Sequence, residues 1–152
     1  MNQRAFLTGG EKESLHGSLN RHRDVILWKL EGLDDEQLRR PMTPSGTNLL
    51  GLVKHLANVE YLWFCETFGR HSEAIPVAVL LANPEADMRA DPDESTADIV
   101  DFYGRARTAA DSAIDELDLD HLGTAWSGET VSMRRPFWRL VQRIAAQVSK
   151  TA

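Results

Sequence analysis

The chain is poor in cysteine and lysine: it has one cysteine, Cys65, and only four lysines among 17 basic residues. A lone thiol cannot close an internal disulfide, so the sequence points to a reducing, cytoplasmic setting. No apolar run approaches the roughly 18 residues that a membrane span needs, and the start MNQRAFLTGG lacks the apolar stretch of a signal peptide. Excess positive charge is missing too. A net charge of −6 argues against a surface for nucleic acid, because phosphate binding requires clustered cations. No segment alternates convincingly as a strand, and no repeat or low-complexity tract is present. The preference for arginine over lysine, with abundant Ala, Asp and Gly, is the usage of a GC-rich genome.

What is present is a helical pattern. The 152 residues, 42% hydrophobic and 26% charged, suit one globular domain spanning 1–152. The stretch from Thr47 to Arg70, TNLLGLVKHLANVEYLWFCETFGR, predicts a helix of about six turns that Thr47 or Asn48 caps and Gly69 ends. Leu49, Leu52, Val53, Leu56, Val59 and Trp63 form its apolar stripe, and Leu62, Phe64 and Phe68 widen it. At about 100° per residue His55 points within roughly 60° of Leu52, Val59 and Leu62. An imidazole there is either a satisfied polar group of the core or a metal ligand.

Three further long helices are predicted. The first runs from Glu11 to Leu30, with Leu15, Leu19, Ile26 and Leu30 inside, His22 leaning inward, and Arg21, Arg23 and Asp24 outside. Another opens at the capping sequence Ser95-Thr96-Ala97-Asp98 and runs to Leu117. A last one begins at Ser132 or Arg135 and ends near Ser149, with Phe137, Leu140, Val141, Ile144 and Val148 as its stripe and Pro136 in its first turn. Asp34 and Asp35 cap a short turn, Pro41, Pro44 and Ser45-Gly46 make a bend, and IPVAVLLAN is apolar enough to lie on the other helices. Residues 117–130 read as a connector. Four long helices, each with one apolar stripe, predict an all-α antiparallel four-helix bundle.

The other chemistry-bearing residues have plain readings. Cys65 is a small buried hydrophobe, with no nearby histidine to activate it. Trp28, Trp63, Trp126 and Trp138 are core or interface anchors. The acidic run from Asp87 to Asp101 is solvated surface leading into a helix N-terminus. Arg39-Arg40 and Arg134-Arg135 are solvated charge, and His16, His71 and His121 are solvated as well.

The segment from Gly17 to Arg70 carries KLEGL, then PSGTNLLGLVKHLANVE, then WF. In this combination the chain resembles the DinB/YfiT-like superfamily, in particular the DUF664 branch related to mycothiol-dependent maleylpyruvate isomerase. Residues 10–70 hold the strongest likeness, with echoes in DPDESTADIVDFYGRAR and GETVSMR. The resemblance implies a DinB-like four-helix bundle, often dimeric, that binds a divalent metal such as zinc or nickel through three ligands. The first is the histidine of the HLA tripeptide, here His55. The others stand on the last helix: a Glu or His, then a His four residues on. It also implies transfer of a low-molecular-weight thiol, mycothiol in this branch, to an electrophile, with the metal holding the sulfur as thiolate.

The tail at 135–152 departs from that pattern. Registering VSMR places Arg143 and Gln147 where the two remaining ligands belong. Arginine is permanently protonated and cannot ligate. Helical spacing turns Arg143 away from the core and puts Gln147 at its edge. His22 and Glu66 are the nearest substitutes, but Glu66 lies roughly 16 Å from His55 along the helix axis at 1.5 Å per residue. Two functions stay open: a thiol S-transferase with an incomplete metal site, and a non-catalytic bundle that keeps a dimer interface or small-ligand pocket.

Overall fold

The computed structural model describes residues 10–44 and 46–150, and the side chains of all of these but 148–150. The segment before Gly10, Ser45 of the predicted bend and the Val148 side chain lie outside the described residues. The chain is mostly helical. Its elements are α1 (Glu11–Leu30), α2 (Asp35–Arg39), α3 (Leu49–Glu60), α4 (Val77–Ala82), α5 (Thr96–Glu116), β1 (Leu122–Thr124), β2 (Thr130–Ser132) and α6 (Arg134–Lys150).

Local signals set most of the boundaries. The Asn48 side chain caps α3 by accepting from Gly51 N–H. Asp34 with Gln37 and Ser95 with Asp98 form reciprocal capping boxes at α2 and α5. The central helix does not stay regular. After Glu60 it widens into a π-helical turn, Tyr61–Cys65, tightens into a 3-10 turn, Glu66–Phe68, and stops at Gly69 with φ 68°. A left-handed residue ends a helix without strain only when it lacks a Cβ. The predicted single helix is thus correct in extent and wrong in winding.

The predicted connector also holds structure. β1 and β2 pair antiparallel, with Leu122 opposite Ser132, Gly123 opposite Val131 and Thr124 opposite Thr130. Three-residue strands are too short for an alternating pattern to register in sequence.

α3 packs on α5, α1 packs on α6, and α6 also meets α3. The core between them follows the predicted stripes: Leu19 and Ile26, Leu52, Val53 and Leu56, Ile99, Ala106, Ala110 and Ile114, and Phe137, Leu140 and Ile144 are all buried. Phe64 and Phe137 meet edge to face with centroids 5.2 Å apart. Such a pair adds about 0.5–1.5 kcal/mol beyond its area.

Several surface assignments are overturned. Arg23, predicted outside, is fully buried. Its Nε donates to Glu60 Oε2 at 3.0 Å, its Nη2 donates to the other Glu60 oxygen, and its Nη1 reaches Asp111 at 2.7 Å and Asn20 at 3.0 Å. Burial works against the guanidinium's charge; Glu60 first and Asp111 next outweigh it, so the group stays firmly protonated. His16, predicted solvated, bonds Asp111 at 2.9 Å and so joins the rim of this network. Of the two readings given to the tryptophans, the core one does not hold for Trp28, Trp126 and Trp138, which are 66%, 58% and 58% exposed.

Candidate functional site

One face of α3 organises the site. Gly51, Lys54, His55 and Asn58 recur at helical spacing, and the chain from Ile75 to Glu94, which includes α4, is laid across them. A Cβ at Gly51 would stand 1.9 Å from the Met88 carbonyl oxygen, so only glycine lets that backbone come so close. The Lys54 ammonium donates to the Arg89 carbonyl at 3.2 Å and to Glu94 at 2.8 Å. Asn58 accepts from Ile75 N–H at 3.1 Å and donates to Asp87 at 3.4 Å. These contacts bring Asp87 to His55.

Asp87 is 1% exposed, although the sequence placed it in a solvated acidic run. Its Oδ2 accepts from His55 Nδ1 at 2.8 Å. Burial pushes the carboxyl up, but the interaction with His55 and the bond from Asn58 outweigh it and hold the group below its ordinary value. The other oxygen, Oδ1, is buried with no hydrogen-bond partner among the described residues.

On the far side of the ring, Arg143 Nη1 lies 2.9 Å from His55 Nε2. A guanidinium only donates. Nε2 must therefore accept, and the ring's proton sits on Nδ1, pointed at Asp87. Arg143 is exposed, as its helical position predicts, yet its long side chain folds back to the imidazole. Helical spacing gives the direction of a Cβ, and an arginine head reaches several ångströms beyond that.

Around this row lies a cavity of about 340 Å³, lined by His55, Asp87 and Arg143 and by the apolar Val59, Leu62, Trp63, Val77, Leu80, Leu81, Pro84 and Trp126. The π-helical turn supplies Leu62 and Trp63, and α4 supplies Val77, Leu80 and Leu81. Turns of this kind are frequent at functional sites because they re-aim side chains without ending a helix.

The donors present do not fit a three-ligand divalent metal. Among the described residues no three His, Cys, Asp or Glu side chains are grouped to hold one. Both nitrogens of His55 are engaged, and Asp87 spends one oxygen on the ring rather than standing opposite it. Gln147 is half-buried and does not line the cavity. His22 does not substitute: its Nδ1 bonds the Ser18 carbonyl at 2.8 Å, one turn back on its own helix. Cys65 is buried, and burial pushes its thiol up to about 11, which suits a packing role.

Comparison with known proteins adds one finding. No curated protein and no solved structure matches the chain. The family model for mycothiol-S-transferase matches residues 14–146. That span runs from the first long helix into the last and takes in the whole His55, Asp87 and Arg143 row. By a match of this extent the chain belongs to the mycothiol-S-transferase family, within the DinB-like superfamily.

Proposed function

We propose that the protein is a single DinB-like domain, an antiparallel four-helix bundle of the DUF664 branch, whose cavity at His55 handles a low-molecular-weight thiol and an electrophile. The family match over residues 14–146 carries this reading, and the cavity of about 340 Å³ at His55 supports it, being of the size that takes small molecules. Mycothiol is the thiol that the family implies. His55, which the resemblance makes a metal ligand, acts here as a base held in one tautomer by Asp87. The thiol proton passes to His55 Nε2 when Arg143 turns from the ring to the sulfur. The thiolate then bonds the electrophilic carbon as the leaving group departs with its electron pair.

A second reading is favoured by one observation. Arg143 already occupies the nitrogen that would take the proton. A chain in which that contact never opens is a non-catalytic binding protein that keeps the fold. The exposed Trp28 and Trp138 leave such a protein, or the transferase, a surface for a homodimer. The lone buried Cys65 suits a cytoplasmic setting.

Conjugation of mycothiol to monochlorobimane, with metal analysis of the protein as purified, tests the proposal. Thiol-dependent conjugation that is lost in His55→Ala and indifferent to a chelator supports the transferase. Absence of conjugation with sub-stoichiometric metal leaves the binding reading. One zinc or nickel per chain, removed by His55→Ala, overturns the base role given to His55.

A further inference from the structure

We infer that the His55 cavity is a metal-independent receptor for a small organic anion with an apolar body, its charged head held by the Arg143 guanidinium. The inference rests on the cavity being the binding site, as proposed above, and adds the chemical class of the ligand.

Three observations carry it. Arg143 offers five N–H donors, and among the described residues it makes one hydrogen bond, to His55. The remaining donors are available to an oxyanion or thiolate at the cavity. Second, the charge is permanent and no cofactor is required to supply it. Asp87, the one acidic side chain lining the cavity among the described residues, is buried and turned to His55, so it does not compete at the mouth. Third, the rest of the wall is apolar. Val59, Leu62, Trp63 and Leu80 form an apolar lining that takes a ligand's hydrocarbon part while its charged head meets Arg143 at the opening. Trp126, 58% exposed, offers an aromatic face beside the opening.

A ligand matched to that set has a flat or branched hydrocarbon part and one negative group at its edge. Arg143 thus stands where the resemblance places a metal ligand and supplies the positive charge itself. Neutral molecules of the same shape would gain the walls and lose the head.

Calorimetric titration of the full chain, prepared in chelator, with 1-naphthoate and with its uncharged analogue 1-naphthamide tests this. The naphthoate should bind about tenfold or more tightly than the amide, the range of a charge-assisted bond, and added zinc should change neither. Arg143→Gln should bring the two to within about twofold, and Arg143→Lys should keep part of the preference. Because Arg143 is exposed, thermal melting of both variants should match the parent and rule out misfolding as the cause. Equal binding of the two probes would overturn the charge assignment while leaving the cavity as a binding site. Naphthoate binding that appears only with zinc would overturn it too. Failure of both probes to bind would remove the binding site on which the inference rests.

Discussion

Arg143 Nη1 donates to His55 Nε2 across 2.9 Å while the opposite ring nitrogen faces Asp87 across 2.8 Å. The imidazole is therefore held between a cation that cannot accept and a carboxylate that cannot donate. That leaves it one arrangement of its proton. Nitrogen-15 NMR of the histidine rings should find His55 neutral, with the proton on Nδ1. In Asp87→Ala the preference should weaken but persist, since Arg143 still donates to Nε2; only the double variant Asp87→Ala with Arg143→Gln should free the tautomer.

The buried ion pair between α1 and α3 gives a stability prediction whose size differs between single and double variants. Arg23→Met leaves Glu60 buried without its partner, which should cost about 3–5 kcal/mol in urea unfolding. Replacing both, Arg23→Met with Glu60→Met, removes the uncompensated charge and should recover most of that loss. A double variant as unstable as the single would show that the pair does more than neutralise itself.

Acid should weaken the same region. Burial raises the Asp111 carboxyl, but His16 and Arg23 outweigh it, and the group titrates below its ordinary value. A carboxyl whose folded value lies below the unfolded one, about 3.9, contributes stability above that pH and loses it as pH falls through the folded value. The melting temperature should thus drop as pH goes below about 4. Asp111→Asn should start lower at neutral pH and decline less steeply on acidification.

Gly51→Ala should disturb the site without touching its polar groups. The added methyl would stand 1.9 Å from the Met88 carbonyl oxygen, so the chain carrying Asp87 must lift. A loss of about 1–3 kcal/mol is expected, as for other overpacked contacts. The His55 Nδ1–H resonance should broaden or vanish. Unchanged spectra would mean that the segment finds another way across α3.

Cys65 should be a bystander. Its thiol is buried, and burial pushes it up to about 11. Iodoacetamide at neutral pH should label it only when the protein is unfolded. Cys65→Ser should leave any thiol conjugation intact.

The helices were largely legible in the sequence because their determinants are local. Asn48, Ser95 and Gly69 act within one turn, and Leu52, Leu56, Ile99 and Ile144 announce buried faces by spacing alone. The site was half legible. His55 and Arg143 were singled out, but Asp87 was read as surface because it stands among Glu85, Arg89 and Asp91 with no periodic apolar stripe through it. Its burial comes from a helix about 30 positions earlier, through Gly51, Lys54 and Asn58. Arg23 was misplaced for a related reason: a helical wheel cannot announce that Glu60 and Asp111 will face it. The π-helical turn left no mark that residue spacing detects, since its side chains are those of an ordinary apolar helix.

The short helix α4 roofs the cavity, and both of its flanks are tied to α3, one at Asn58 through Ile75 and the other at His55 through Asp87. A roof moored twice to the same beam has its headroom set by how much chain hangs between the moorings. Residues inserted or removed between Ile75 and Asp87 would widen or narrow the chamber while the long helices beneath stayed as they are. Relatives with different loop lengths there would accept molecules of different girth on an unchanged frame.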